Sequence, residues 1–150
     1  MTTITENQQT KDEAEIRQLT ARWLSIFSPK DRPFTGVGFE NIFATGKNEI
    51  LVFDNYKNDV VVLRSLKEYL DTWVPFMQEN ISYWEVELED HFEITIDGDL
   101  AVTTFSWIGG GKGKDGRAIK AKQYGTHVWK RLEGQWRLVH EHLTGGEIPE

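Results

Sequence analysis

From Ile81 onward the apolar residues recur at every second position instead of at helical intervals, and a chain carrying that pattern cannot close as a helical bundle. Trp84, Val86, Leu88, Phe92, Ile94 and Ile96 alternate with Tyr83, Glu85, Glu87, Glu89, His91, Glu93 and Thr95, which is one or two strands with one apolar face. Asp97, Gly98 and Asp99 make a tight turn into residues 100–108, and the run GGGKGKDG reads as a long flexible hairpin tip before residues 117–132. The second half of the chain is therefore expected to be an antiparallel meander.

The first half has the other period. Thr10 and Glu13 have capping-box spacing, and Ile16, Leu19, Trp23, Ile26 and Phe27 form one helical stripe that Pro29 ends. Ser65 and Glu68 repeat the cap, followed by the stripe Leu66, Tyr69, Leu70, Trp73, Val74 and Met77. Pro75 should bend or end the last turn, with the helix stopping near Gln78. Between the helices, Pro33, Gly36, Gly38 and Gly46 break residues 30–47, where Phe39, Ile42 and Phe43 allow a short third helix. Residues 50–53 read as a buried strand that delivers Asp54, Asn55 and Tyr56 to a pocket rim. The organisation expected is a tail over residues 1–9, one domain over 10–146 and a second tail over 147–150.

A chain of 150 residues fits one domain with one core. With no Cys and a polar first stretch, the expected compartment is the cytoplasm. A net charge of −7 opposes binding to phosphate backbones and anionic lipid, so neither nucleic acid nor membrane is an expected partner. Along residues 100–108 both faces are apolar, Leu100, Val102 and Ile108 on one and Ala101, Phe105 and Trp107 on the other. Helices cover only one face of such a sheet, and the outer face is expected to be covered by a second copy of the chain, giving a homodimer.

The closing segments Thr126-His127-Val128-Trp129, Glu133-Gly134-Gln135-Trp136 and Val139-His140-Glu141-His142, followed by Leu143-Thr144-Gly145, resemble the nuclear transport factor 2-like (NTF2-like, cystatin-like cone) superfamily. The resemblance covers about residues 12–145. It extends to SnoaL-like polyketide cyclases, ketosteroid isomerase-like proteins and the association domain of calmodulin-dependent kinase II. It implies an α+β fold in which two to three N-terminal helices pack on the concave face of a strongly curved antiparallel sheet and enclose a pocket. Where the association domain has pocket arginines, this chain places Ser106, His127 and Leu143, so an arginine cluster for carboxylates is not carried over.

Three of the four histidines, His127, His140 and His142, fall in the last hairpin, and its register decides which act together. A two-residue turn at Glu133 and Gly134 sets His127 opposite His140, a possible three-histidine metal site. A three-residue loop with Gly134 as a bulge instead puts His127 on a face with Val139 and Glu141. Glu is poor at a positive φ, which makes the second register at least as good, and it is preferred because the resemblance also implies that His127 and the odd-numbered end of the last strand face inside; no metal is expected. His127 and Glu141 then form an acid/base pair, and Asp54 is a further candidate because apolar walls raise a carboxyl's proton affinity. Trp23, Phe27, Phe53, Tyr56, Trp73, Ser106, Trp129 and Val139 are the expected ligand-binding residues around an apolar pocket. The GGGKGKDG tip is not a phosphate loop, since Asp115 stands where Ser or Thr is needed, and Glu85, Glu87, Glu89 and Glu93 on another strand are the expected cross-strand or cross-subunit partners of the cations in and after it.

The expected function is small-molecule binding, with cofactor-independent lyase, isomerase or cyclase chemistry by His/carboxylate proton transfer on a small hydrophobic substrate. The alternative is a non-catalytic dimerisation or ligand-sensing module similar to the association domain.

Overall fold

In the computed structural model, which describes residues 2–149, the first helix is longer than its cap spacing implies. It runs over α1 (Thr2–Ile26) and passes through Thr10 without a break, because neither Gly nor Pro interrupts it. Gln8 Nε2 donates to Asp12 Oδ1 at 2.9 Å one turn on, a local pair that supports helix on both sides of Thr10. The tail drawn over residues 1–9 is corrected accordingly, Met1 lying outside the described residues. As the stripe predicts, Ile16, Leu19 and Trp23 are buried against the sheet.

The second helix, α2 (Leu66–Asn80), starts on the expected cap: the Ser65 hydroxyl accepts from the Glu68 N–H, and Glu68 reaches back to the Arg64 N–H. It continues past Pro75 to Asn80, two residues beyond the expected stop. The third helix is only a 3₁₀ turn, Phe39–Asn41, held by Phe39 against Phe27, Phe34, Phe43 and Tyr69.

Six strands form one open sheet: β1 (Leu51–Tyr56), β2 (Asp59–Leu63), β3 (Ile81–Asp97), β4 (Leu100–Gly113), β5 (Ala118–Leu132) and β6 (Gln135–Glu147), in the order β2-β1-β6-β5-β4-β3. The sheet is mixed, because β1 joins β6 in parallel while the other pairs are antiparallel. Strand β2 has no counterpart in the sequence reading. It returns from β1 through Lys57 and Asn58 at φ 49 and 67, the left-handed pair of a tight hairpin turn. The second tail is shortened too, since β6 includes Glu147 and the Ile148 N–H bonds to Lys120 O.

The glycine run is strand and not a flexible tip. Gly109, Gly110 and Gly111 pair with Val86, Glu85 and Trp84 on β3, and the turn is confined to residues 114–117. A Cβ on Gly111 would stand 1.8 Å from Tyr83 O, and one on Gly109 would stand 2.6 Å from the Trp84 ring. The glycines allow β3 and the Trp84 indole to close over β4, which shapes one wall of the cavity described below.

The middle of α1 is fastened to the β5–β6 hairpin by Asp12. Its carboxylate takes two bonds from Arg131, at 2.9 and 2.8 Å, and one from Trp136 Nε1 at 3.1 Å, while Arg131 also holds Asp99. The Arg131 bonds hold the Asp12 carboxyl below the usual carboxylate range against the opposing effect of burial. Asp12→Ala is expected to cost about 2 kcal/mol, at the low end for a lost charge pair because Arg131 keeps 21% of its side chain exposed. With a depressed folded pKa, this contribution is full above the unfolded value near 3.8 and fades as pH falls through the folded one. Urea unfolding of both proteins at pH 7 and pH 3 checks it: the difference between them should shrink at the lower pH.

Candidate active site

The register of the last hairpin comes from a bulge and not from its turn. Leu132 pairs with Gln135, so Glu133 and Gly134 do form a two-residue turn, with φ 51 and 78. That turn alone would set His127 opposite His140. Between the pairs Trp129↔Leu138 and Val128↔His140, however, Val139 is an extra residue, and beyond it His127 faces Glu141. The three-residue loop expected from the sequence is thereby corrected, while the pairing it was invoked to explain is present.

His127, Glu141 and Tyr69 are wholly buried and share one carboxylate. His127 Nε2 lies 2.9 Å from Glu141 Oε2, and Tyr69 Oη donates to Glu141 Oε1 at 3.1 Å. Aromatic rings of Trp23, Phe105 and Trp129 stand edge-on around the imidazole with centroids at 5.0, 4.7 and 5.7 Å. Nδ1 has no hydrogen-bond partner among the described residues, so the network assigns the tautomer with its proton on Nε2, donated to Glu141. Burial, followed by the charges of Glu141 and Asp54, pushes the Tyr69 hydroxyl well up and keeps it a donor.

Asp54 is the carboxyl that meets open space. Strand β1 turns Val52 and Asp54 inward, and its parallel pairing sets Val52 beside Glu141, so Asp54 follows on the same face. Oδ1 accepts from the Asn55 N–H at 2.7 Å and from Gln123 Nε2 at 3.0 Å, and Oδ2 has no hydrogen bond among the described residues. Burial, and next the Glu141 charge, raise the Asp54 carboxyl well above the usual carboxylate range, outweighing those two bonds. Asp54, Asn55 and Gln123 form the polar part of a cavity of ≈ 510 Å³ whose walls include Trp23, Phe27, Trp73, Phe76, Trp84 and Trp107.

Of the expected site residues, Asp54, Trp23, Phe27 and Trp73 line this cavity. His127 and Glu141 do not: the histidine was expected to face open space, and the rings around it separate it from the cavity. Phe53 points to the opposite face, where its ring meets His140 and His142 at 5.4 and 5.5 Å, because its neighbours Val52 and Asp54 take the inner positions. Tyr56 braces Trp73 and Phe76 from behind at 5.6 and 5.5 Å. Ser106 pairs with the exposed Tyr124 between the inward Phe105 and Trp107, Trp129 donates to Thr103 beneath His127, and Val139 is the bulge. The histidines do not converge, His140 being spent on Leu51 O at 2.7 Å. Gln123 and Tyr69 are site residues the sequence reading did not name. Gln123 shares the odd-numbered face of β5 with His127, and Tyr69 lies on the α2 stripe, so both were within reach of periodicity.

Two helices on an open six-stranded sheet, with a largely apolar cavity lined by the buried Asp54 carboxyl, define an α+β cone of a small-molecule-binding type. The chain belongs to the SnoaL-like family, whose domain matches residues 16–144. Among solved structures it is similar to an NTF2-like superfamily protein from Salmonella enterica serovar Typhimurium, at 19% identity and TM-score 0.77, over 91% of this chain and 92% of that one. An NTF2-like protein of unknown function from Pseudomonas putida shows 26% identity and TM-score 0.70, over 90% and 87%. The association domain of CaMKII from C. elegans shows 14% identity and TM-score 0.63, over 93% and 98%. No match was found among curated proteins. Among the described residues, no helix is long and apolar enough to cross a membrane.

Proposed function

We propose that the chain binds a small hydrophobic molecule in the cavity and moves a proton on it as a lyase, isomerase or cyclase, with Asp54 as the acid/base group. The observation that carries this is a buried carboxyl of raised proton affinity lining a cavity whose walls are largely indole, phenyl and aliphatic side chains, the other carboxylates being at its mouth. Asn55 and Gln123 fix Oδ1, leaving Oδ2 as the atom that takes a proton from a carbon acid and returns it. His127 and Tyr69 hold Glu141 in place, and Glu141 acts on the substrate only through Asp54. Such chemistry needs a dry site and no cofactor. The test is deuterium incorporation from D₂O into a panel of enolisable ketones, followed by NMR. The wild type should exchange at least one of them, and Asp54→Asn should slow that exchange by about 10²–10⁴-fold.

The separation of the His127–Glu141 pair from the cavity favours a second reading, a non-catalytic ligand-sensing or dimerisation module. In that case ligands bind and no exchange occurs. Both readings take a homodimer through the outer face of the sheet and a cytoplasmic protein. Val60, Val62 and Tyr124 expose 61, 53 and 57% of their surface and Leu100 44%, while Val62 pairs with the outward Phe53. Sedimentation equilibrium at micromolar concentration should return twice the chain mass, and Tyr124→Lys with Val62→Lys should return the single mass.

A further inference from the structure

Beside the cavity mouth lies a second basin of ≈ 300 Å³, and the two share Met77, Ile81 and Lys114. Their charges differ. The cavity mouth carries Glu79, Asp115 and Glu147, with Arg117 bound to Glu147. The basin carries Lys30, Arg32 and Lys114 against Asp31 alone.

None of those three cations forms an ion pair among the described residues, whereas Lys122 on β5 is matched by Glu89 at 3.0 Å. In a chain of net charge −7, three cations against one carboxylate around one hollow form a local anion-attracting field. Two of them stand on fixed backbone. Lys30 is pinned by a pair of backbone bonds to Trp84, at 3.0 and 3.2 Å, and Lys114 by its N–H to Asn80 O at 2.8 Å. Arg32 spends Nε on Pro29 O at 3.2 Å, which leaves its two Nη groups for a ligand. The C-terminal end of α2, where Gln78 lines the basin, supplies a negative dipole end that tolerates the cations without giving them a carboxylate.

The cavity, which meets the basin at Met77, Ile81 and Lys114, runs along one strand. Gln123, Ala121 and Ile119 line successive steps of it on β5, about 13 Å from the Asp54 end at strand rise. We propose that the basin is the anion subsite of the cavity: the ligand is an elongated amphipathic acid whose apolar body fills the cavity and whose carboxylate is held by Lys114, Arg32 and Lys30. The inference rests on the cavity being a small-molecule site.

Decanoate and 1-decanol test it, because both have about the required length, neither absorbs with tryptophan, and Trp23, Trp73, Trp84 and Trp107 report occupancy of the cavity. Decanoate should bind the full chain about tenfold more tightly than decanol, with the difference shrinking as salt rises. Arg32→Ala with Lys30→Ala, both lining the basin and not the cavity, should remove that preference while binding decanol as the wild type does, which also shows that the variant is folded. Equal binding of the two probes by the wild type overturns the subsite and leaves the cavity reading standing. A preference that survives both substitutions, or a variant that loses thermal stability alone, means the cations serve the helix end and overturns the subsite too. If neither probe binds, the cavity reading falls and the subsite falls with it.

Discussion

Asp54→Asn is expected to make the protein more stable at neutral pH while abolishing the proton transfer proposed for it. The sign follows from the raised proton affinity of Asp54, which burial causes first and Glu141 second. Below the unfolded value near 3.8 both states hold the proton and the group is neutral in either. As pH rises past that value the unfolded chain ionises while the folded one does not, so stability falls until the folded pKa is passed and stays lowered above it. Asparagine keeps the Oδ1 acceptor for the Asn55 N–H and Gln123 Nε2 and never ionises. The gain should be about 0.5–2 kcal/mol at pH 7, the usual size when a functional group that costs stability is replaced, and should vanish near pH 3. Thermal unfolding of the two proteins from pH 3 to 8 measures it. Parallel profiles across that range would remove the raised proton affinity, and with it the case for Asp54 as the acid/base group. Asp12 moves in the opposite direction at the acid end, but it is common to both proteins and cancels in the difference.

What periodicity records was legible in this chain. The stripe through Ile16, Leu19 and Trp23, the Ser65 cap and the alternation from Trp84 onward each correspond to an element with the expected buried face. Pairings between distant segments were less so. The parallel junction of Leu51, Val52 and Phe53 with β6 makes the sheet mixed, and neither strand's own pattern names its partner. The His127–Glu141 pairing was reached through the wrong device, since a turn has a local residue preference whereas a bulge at Val139 is fixed by what packs on both sides of it. The glycines of β4 illustrate the same limit: in isolation they read as a flexible tip, and only the approach of Tyr83 and Trp84 shows why they are a strand. The division between Asp54, which meets the cavity, and His127, which does not, depends on the positions of the Trp23 and Phe105 rings, and no one-dimensional pattern carries that.

Glu141→Ala should be among the most damaging single changes in the fold. Its carboxylate is the shared acceptor for two wholly buried donors, Tyr69 Oη and His127 Nε2, and removing it leaves both without a partner in a site closed to water. Breaking a buried pair in this way costs about 3–5 kcal/mol, much of the net stability of a domain this size. Glu141→Gln separates the charge from the hydrogen bonds. The glutamine can still accept from Tyr69, but its amide group presents a donor to His127 Nε2, so the imidazole proton must move to Nδ1, which has no partner. That rearrangement should cost about 1–3 kcal/mol, less than the alanine change. The glutamine variant also removes the negative charge that adds to burial in raising Asp54, and the pH window over which stability falls should move toward acid. Urea midpoints at fixed pH read the first effect and the thermal pH profile reads the second. A glutamine variant destabilised as expected but with an unmoved pH window would mean that burial alone sets Asp54, and that the His127–Glu141–Tyr69 cluster only supports the wall behind the cavity.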